Sequence, residues 1–149
     1  MKSELKIIFI SVSALLITVV AGACAGDSDE ANQFPIKTSG ARITAGAVVY
    51  AENCVSCHGP VNGPTALDAA PVHGDAGHTW HHPDRLLFQW ILDRPPLATA
   101  MPAFRGTLTD EQMIEVLAYI KSHWLPEIQD RQNEGPDQYE AQVVEFGAE

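Results

Sequence analysis

Cysteine is scarce in this 149-residue chain, which has only Cys24, Cys54 and Cys57. Three cysteines, two of them three positions apart and the third far upstream, do not make a disulfide framework. Basic residues are scarce as well: nine Lys and Arg stand against nineteen Asp and Glu, for a net charge of −10. That balance excludes a nucleic-acid binder and argues against electrostatic adhesion to anionic lipid. It suits solubility, or a partner with a basic docking face. No internal repeat and no low-complexity run occurs, and no βαβ alternation is visible. The composition, 46% hydrophobic, is that of a globular protein.

What is present centres on Cys54-Val55-Ser56-Cys57-His58. This is the spacing of a c-type haem attachment site. On a helical turn, positions i, i+3 and i+4 project from one face. Two thiols can then bond to the vinyl groups on one edge of a porphyrin while the imidazole offers a nitrogen to the iron. Two other readings compete. A redox disulfide of the thioredoxin kind needs a strand before the motif, and none is visible. Half of a zinc site would need two of His73, His78, His81 and His82 to complete it.

The helical pattern is clear at three places. A first helix is expected from Ile43 into Cys57, with Gly46 and Tyr50 one above the other on its surface. A second follows Pro83, at its first position, with Leu86, Leu87, Trp90 and Ile91 on one face until Asp93-Arg94-Pro95-Pro96 ends it. The third is the best defined. Thr109 and Gln112 form a capping box and Leu108 and Met113 a hydrophobic staple. Met113, Val116, Leu117, Ile120 and Trp124 recur at helical spacing, Lys121 suits the negative C-terminal end, and Pro126 follows the stop.

Three stretches in this order resemble the small class I cytochromes c: Gly46 to Asn53 before the haem motif, Met101-Pro102-Ala103-Phe104, and Leu108 to Trp124. The resemblance covers residues 41–125. It implies an all-α fold of about three helices wrapped around one covalently attached haem c, and an electron carrier rather than an enzyme. It implies covalent attachment at Cys54 and Cys57, with His58 and Met101 as axial ligands. Met101 precedes Pro102, which restricts its backbone to extended conformations, and a thioether ligand raises the haem potential. A ligating histidine normally donates its other ring N–H to a carbonyl. The resemblance points to that of Pro64, whose alternative is an ordinary turn proline. It also implies that Val116 and Tyr119 pack against Gly46 and Tyr50. His81 and His82 read as residues at the helix start and surface, with a second iron ligand or another metal as the competing role. The alternatives to a carrier are a haem-based small-ligand sensor and a haem subunit of a larger oxidoreductase complex. A candidate acid–base pair near Met101 is missing, which counts against catalysis. The expected partners are redox proteins, including a membrane respiratory complex.

The folded part, about 85 residues, is a size whose core alone is marginal, and a buried haem would enlarge it. The remainder is read as a signal segment (1–23), an acidic tether (24–40) and an acidic tail (126–149) carrying seven acids against Arg131. Lys2 and Lys6 precede an apolar run that leads into Ala21-Gly22-Ala23-Cys24, the architecture of an export signal. The expected location is therefore the periplasmic side of a membrane. Three outcomes compete: lipidation of Cys24, cleavage after Ala25, and an uncleaved anchor from the charge-free run Ile7 to Gly26. Under the lipoprotein reading the N-terminal mass shows acylated Cys24, and Cys24→Ala releases or mis-processes the chain. A fully soluble chain starting at Gly26 would disprove lipidation.

Overall fold

The computed structural model describes residues 33–135. Cys24, the export segment, most of the expected tether and residues 136–149 lie outside the described residues. Four α-helices follow in chain order: α1 (Gly40–Asn53), α2 (Val55–His58), α3 (Asp84–Asp93) and α4 (Asp110–Lys121), with a 3-10 turn at Thr79–His81 before α3. A further helix, α5, occupies residues 126–135. No strand occurs among the described residues, so the fold is all-α as expected.

Helix α1 begins earlier than its apolar periodicity suggests. The Ser39 hydroxyl accepts the Arg42 N–H at 3.3 Å and caps it. It also ends earlier. At Cys54 the backbone moves to φ −117°, and α2 is a separate single turn rather than a continuation. The crossing of α1 over α4 is set by Gly46: a Cβ there would overlap the Glu115 carbonyl and lie 2.9 Å from the Tyr119 Cβ. The helices meet backbone to backbone because residue 46 has no side chain. One turn on, the rings of Tyr50 and Tyr119 pack at 5.4 Å.

Helix α4 carries its expected capping box. Thr109 Oγ1 accepts the Gln112 N–H at 3.2 Å, and Gln112 Oε1 accepts the Thr109 N–H at 2.9 Å. Leu108 and Met113 of the staple are both buried. In α3, Pro83 is the N-cap rather than the first helical residue. The helix stops at Arg94, which takes φ 74° ahead of Pro95; proline disfavours the α region for the residue before it.

Two parts of the domain plan need correction. Residues 126–135, read as the start of a mobile acidic tail, are helical, and Ile128 and Gln132 pack on the core. The end of the expected tether is folded too: Ile36 is 2% exposed. Both are recruited by one buried ion pair. Lys121 Nζ lies 2.6 Å from Asp84 Oδ2, with the two side chains 1% and 0% exposed. Asp84 also accepts the Ile36 N–H at 2.7 Å and Gln132 Nε2 at 2.7 Å, while Lys121 donates to Asn133 Oδ1 at 2.8 Å. A charge so deeply buried requires this many partners. Burial holds the Lys121 ammonium below the usual lysine range, and Asp84 opposes that shift. Thus Lys121 does sit in the last turn of α4, but its charge is spent inside the protein. Lys121→Met leaves Asp84 buried without a counter-charge and should cost about 3–5 kcal/mol in denaturant unfolding. Adding Asp84→Asn should recover part of that loss, because the amide still accepts from Ile36 without burying a charge.

Candidate functional site

A cavity of about 440 Å³ opens between α2, α3, α4 and the loops that join them. That lies in the range of cofactor pockets, roughly 300–1,000 Å³. Its walls are mainly apolar, with Leu87, Trp90 and Ile91 from α3, Val116, Leu117 and Ile120 from α4, and Phe104 and Leu108 between them. Cys54, Cys57, His58 and Met101 all line this one cavity. Met113 is fully buried in α4 and is not part of its wall.

The short helix α2 aims the first three. Its turn is closed by Cys57 N–H and His58 N–H bonds to the Cys54 carbonyl, at 3.2 and 3.0 Å. Both thiols are free. Burial first, then the neighbouring Cys57, pushes the Cys54 thiol up to about 11. Redox-active cysteine pairs run the other way, with a depressed thiol pKa. The strand that the thioredoxin alternative needs before the motif does not occur among the described residues. The zinc alternative lacks geometry: no group of three or more His, Cys, Asp or Glu among the described residues is arranged to hold a metal ion.

The buried His58 ring has Nδ1 3.0 Å from the carbonyl of Pro71. With Nδ1 donating there, Nε2 keeps its lone pair for a metal. This corrects the expectation for Pro64. The Pro64 carbonyl is turned toward Gly59, whose φ is 65° and where a Cβ would overlap it. The loop runs seven residues further before a carbonyl reaches the ring. Its near end is tied down by the Ala66 and Leu67 N–H groups, both bonded to the Cys57 carbonyl.

Met101 arrives on a pinned loop. Phe104 N–H bonds the Ile91 carbonyl at 3.1 Å, Arg105 N–H bonds that of Leu92 at 3.0 Å, and the Arg105 guanidinium pairs with both oxygens of Asp93. The ends of the excursion 94–103 are thereby closed on α3. Met101 is half-buried and packs on the core.

His73, one of the four histidines weighed for a zinc site, has a different place in the structure. Its ring stacks on that of His58 at 4.2 Å and 24°, and its Nδ1 lies 2.8 Å from Thr79 Oγ1. Burial, then His58, lowers its pKa to about 3, so it is neutral. Only its position between two proline- and glycine-punctuated turns could have flagged it. His78 and His82 line the cavity, whereas His81 is exposed and stacks on Trp80 at 3.6 Å.

The donor set fits a c-type haem: two free thiols and an imidazole with one nitrogen available at one cavity wall, and a thioether on another segment of it. The family described as "Cytochrome C oxidase, cbb3-type, subunit III" matches residues 41–120, over half of the chain. The chain belongs to this cytochrome c family. It is an electron-transfer haem protein with a covalently bound c-type haem. It is also 30% identical over 105 residues to the "Alcohol dehydrogenase (quinone), cytochrome c subunit" of Gluconobacter oxydans (strain 621H), a match covering 64% of this chain and 22% of that protein. The chain thus spans about a fifth of that relative's length. No solved structure matches.

Beside the motif, the Tyr50 hydroxyl donates to the carbonyl of Gly59 at 2.9 Å in a buried setting. Burial raises its pKa well above the usual tyrosine value, so it stays a donor. Tyr50→Phe leaves that carbonyl unpaired next to His58 and should cost about 1–2 kcal/mol in denaturant unfolding.

Proposed function

We propose that this cytochrome is a mobile or tethered single-electron carrier, with thioether bonds at Cys54 and Cys57 and with His58 and Met101 as the axial ligands. The observation that carries this reading is the convergence of all four side chains on one apolar cavity. The haem supplies one-electron chemistry between ferrous and ferric iron. The chain's own residues hold it, orient it and keep water away. Pro71 fixes the His58 ring through Nδ1. Clamping at residues 91–92 and 104–105 holds Met101 toward the cavity. Apolar walls from α3 and α4 disfavour the extra positive charge of the oxidised state, which raises the potential together with a thioether ligand. No substrate pocket is needed, and the chain itself is proposed not to be an enzyme. Export, and tethering through Cys24 at the periplasmic side of a membrane, complete the proposal. No helix among the described residues is long and apolar enough to cross a membrane.

A second reading is supported by one observation. The curated relative is by name a subunit of a dehydrogenase, so the same haem domain can serve as the electron outlet of a larger oxidoreductase. In either case the partners are redox proteins.

The test uses protein matured in an exporting host. After denaturation in acid–organic solvent the mass should exceed the bare chain by one haem, and Cys57→Ser should retain haem poorly. A bare-chain mass would overturn the reading. Met101→Ala should abolish the long-wavelength band of ferric methionine-ligated haem, lower the potential and admit carbon monoxide. His81→Ala and His82→Ala, made separately, should keep the band. Carbon monoxide binding to the unmodified reduced protein would favour a small-ligand sensor. Loss of the sixth ligand in a His81 or His82 variant alone would mean bis-histidine ligation.

A further inference from the structure

A second cavity, of about 370 Å³, lies between α3 and the two ends of the excursion 94–103. Phe88 and Trp90 contribute apolar surface to it, and Trp90 lines the larger cavity as well. Its charge runs against that of the whole molecule. The chain has nine Lys and Arg against nineteen Asp and Glu. Yet Arg85, Arg94 and Arg105 all line this one cavity, with a single carboxylate, Asp93, among them. Other basic side chains are committed elsewhere. Arg42 meets Glu111 at 3.4 Å, Lys121 is enclosed with Asp84, and the Arg131 guanidinium lies over Trp80.

Arg94 holds its place at a cost. Its φ of 74° is the only positive value at a non-glycine residue among the described residues. Glycine takes such angles freely, and a side chain adds strain there. A turn needed for its shape alone would favour glycine; what Arg94 adds is an exposed positive charge at the cavity edge. The Arg105 side chain is 63% exposed even while it pairs with Asp93. Arg85 lies over the Phe34 ring at 4.9 Å. It is the second residue of α3, whereas Arg94 follows the last. That separation corresponds to roughly 13 Å of helix rise. A run of carboxylates can follow such a length, and a lone phosphate or carboxylate cannot contact both ends of it.

We propose that this arginine-lined cavity is the docking site for an acidic segment of a redox partner protein, with Trp90 as the wall shared with the haem cavity. This rests on the electron-carrier reading given above. The acidic remainder of the chain repels such a segment while the arginines attract it, so encounter is steered to one face. Arginine and tryptophan are also among the side chains that most often carry binding energy at protein interfaces. Anionic lipid shares the sign of charge but meets a protein over a broad surface, where a net charge of −10 is repulsive. From this position one electron leaves the ferrous iron and reduces the partner's acceptor centre, and no bond or proton is exchanged.

The experiment titrates the mature holoprotein, its haem shown to be covalent by mass, with a synthetic hexaglutamate peptide by calorimetry. One peptide should bind per chain at low salt, and the affinity should fall severalfold as salt screens the charges. Arg94→Gly should weaken binding by about threefold, the size of one exposed charge pair. The same variant should not lower the thermal midpoint, because glycine accepts the positive φ. Arg94→Lys keeps the charge and should keep most of the affinity, and Arg42→Gln, outside the cavity, should change nothing. Oxidation of the ferrous protein by hexacyanoferrate(III), an anionic one-electron acceptor, should slow as salt is added, the opposite of what the net charge dictates. Hexaglutamate should slow it too, in the unmodified protein but not in Arg94→Gly. Absent binding, binding indifferent to Arg94, or peptide binding that leaves the oxidation rate unchanged overturns the proposal. So does displacement of the peptide by an equal concentration of inorganic phosphate, or binding to phosphatidylglycerol vesicles in place of the peptide. A chain without covalent haem overturns the reading beneath it instead.

Discussion

The contact of Gly46 with the backbone at Glu115 sets the distance between the two longest helices. The wall of the site that carries the thiols and His58 follows from that distance. Helix α1 ends where the thiol pair begins, and α4 provides one wall of the cavity, so the α1–α4 separation determines where Cys54 and His58 lie relative to Val116 and Ile120. Interiors are close-packed and adjust poorly to an extra methyl group. The cofactor chemistry of one helix end is therefore tied to a residue two turns away that carries no side chain. Tyr50 reinforces the arrangement from the same helix, with its ring on Tyr119 and its hydroxyl on Gly59.

A second organising centre lies on the other side of α4. The Asp84–Lys121 pair collects hydrogen bonds from the segment before α1 and from α5, so four separate stretches of chain converge on two charges. Such a pair is not by itself a source of stability, since desolvation offsets most of its Coulomb energy. Its effect is selective: a tail or leader that failed to dock would leave a buried charge short of partners. This explains how segments of polar composition come to be ordered against a small core.

Much of the fold was legible because the signals were local. Thr109 and Gln112 announce the start of α4 within four residues, and the resemblance to class I cytochromes c implied the close crossing at Gly46. The spacing of Cys54, Cys57 and His58 placed all three on one turn whether or not α1 continued through them. What was not legible depends on partners distant in sequence. Nothing in the residue types tells which carbonyl of a long loop faces an imidazole, so Pro64 was named where the geometry has Pro71. Helix α5 reads as an acidic tail because its buried face includes Gln132, whose partners Asp84 and His82 lie some fifty residues away. His73 and Thr79 likewise acquire a role only once the loop closes on itself. The early end of α1 and its cap at Ser39 were missed because neither depends on an apolar period.

The excursion 94–103 has a different mechanical character from the rest of the cavity wall. It is fastened at its base by two backbone hydrogen bonds and by an Arg105–Asp93 pair whose side chains are 63% and 54% exposed, and its Leu97 stands almost wholly in water. Segments with few buried contacts and solvated fastenings open at a fraction of the free energy of global unfolding. Helix α2, by contrast, follows α1 directly, its turn is closed by backbone bonds onto the Cys54 and Val55 carbonyls, and His58 within it is buried. Amide exchange should thus divide the cavity into a slow wall bearing His58 and a fast wall bearing Met101. Because exposed ion pairs weaken as salt screens them, ionic strength reaches one face of the proposed iron site and not the other.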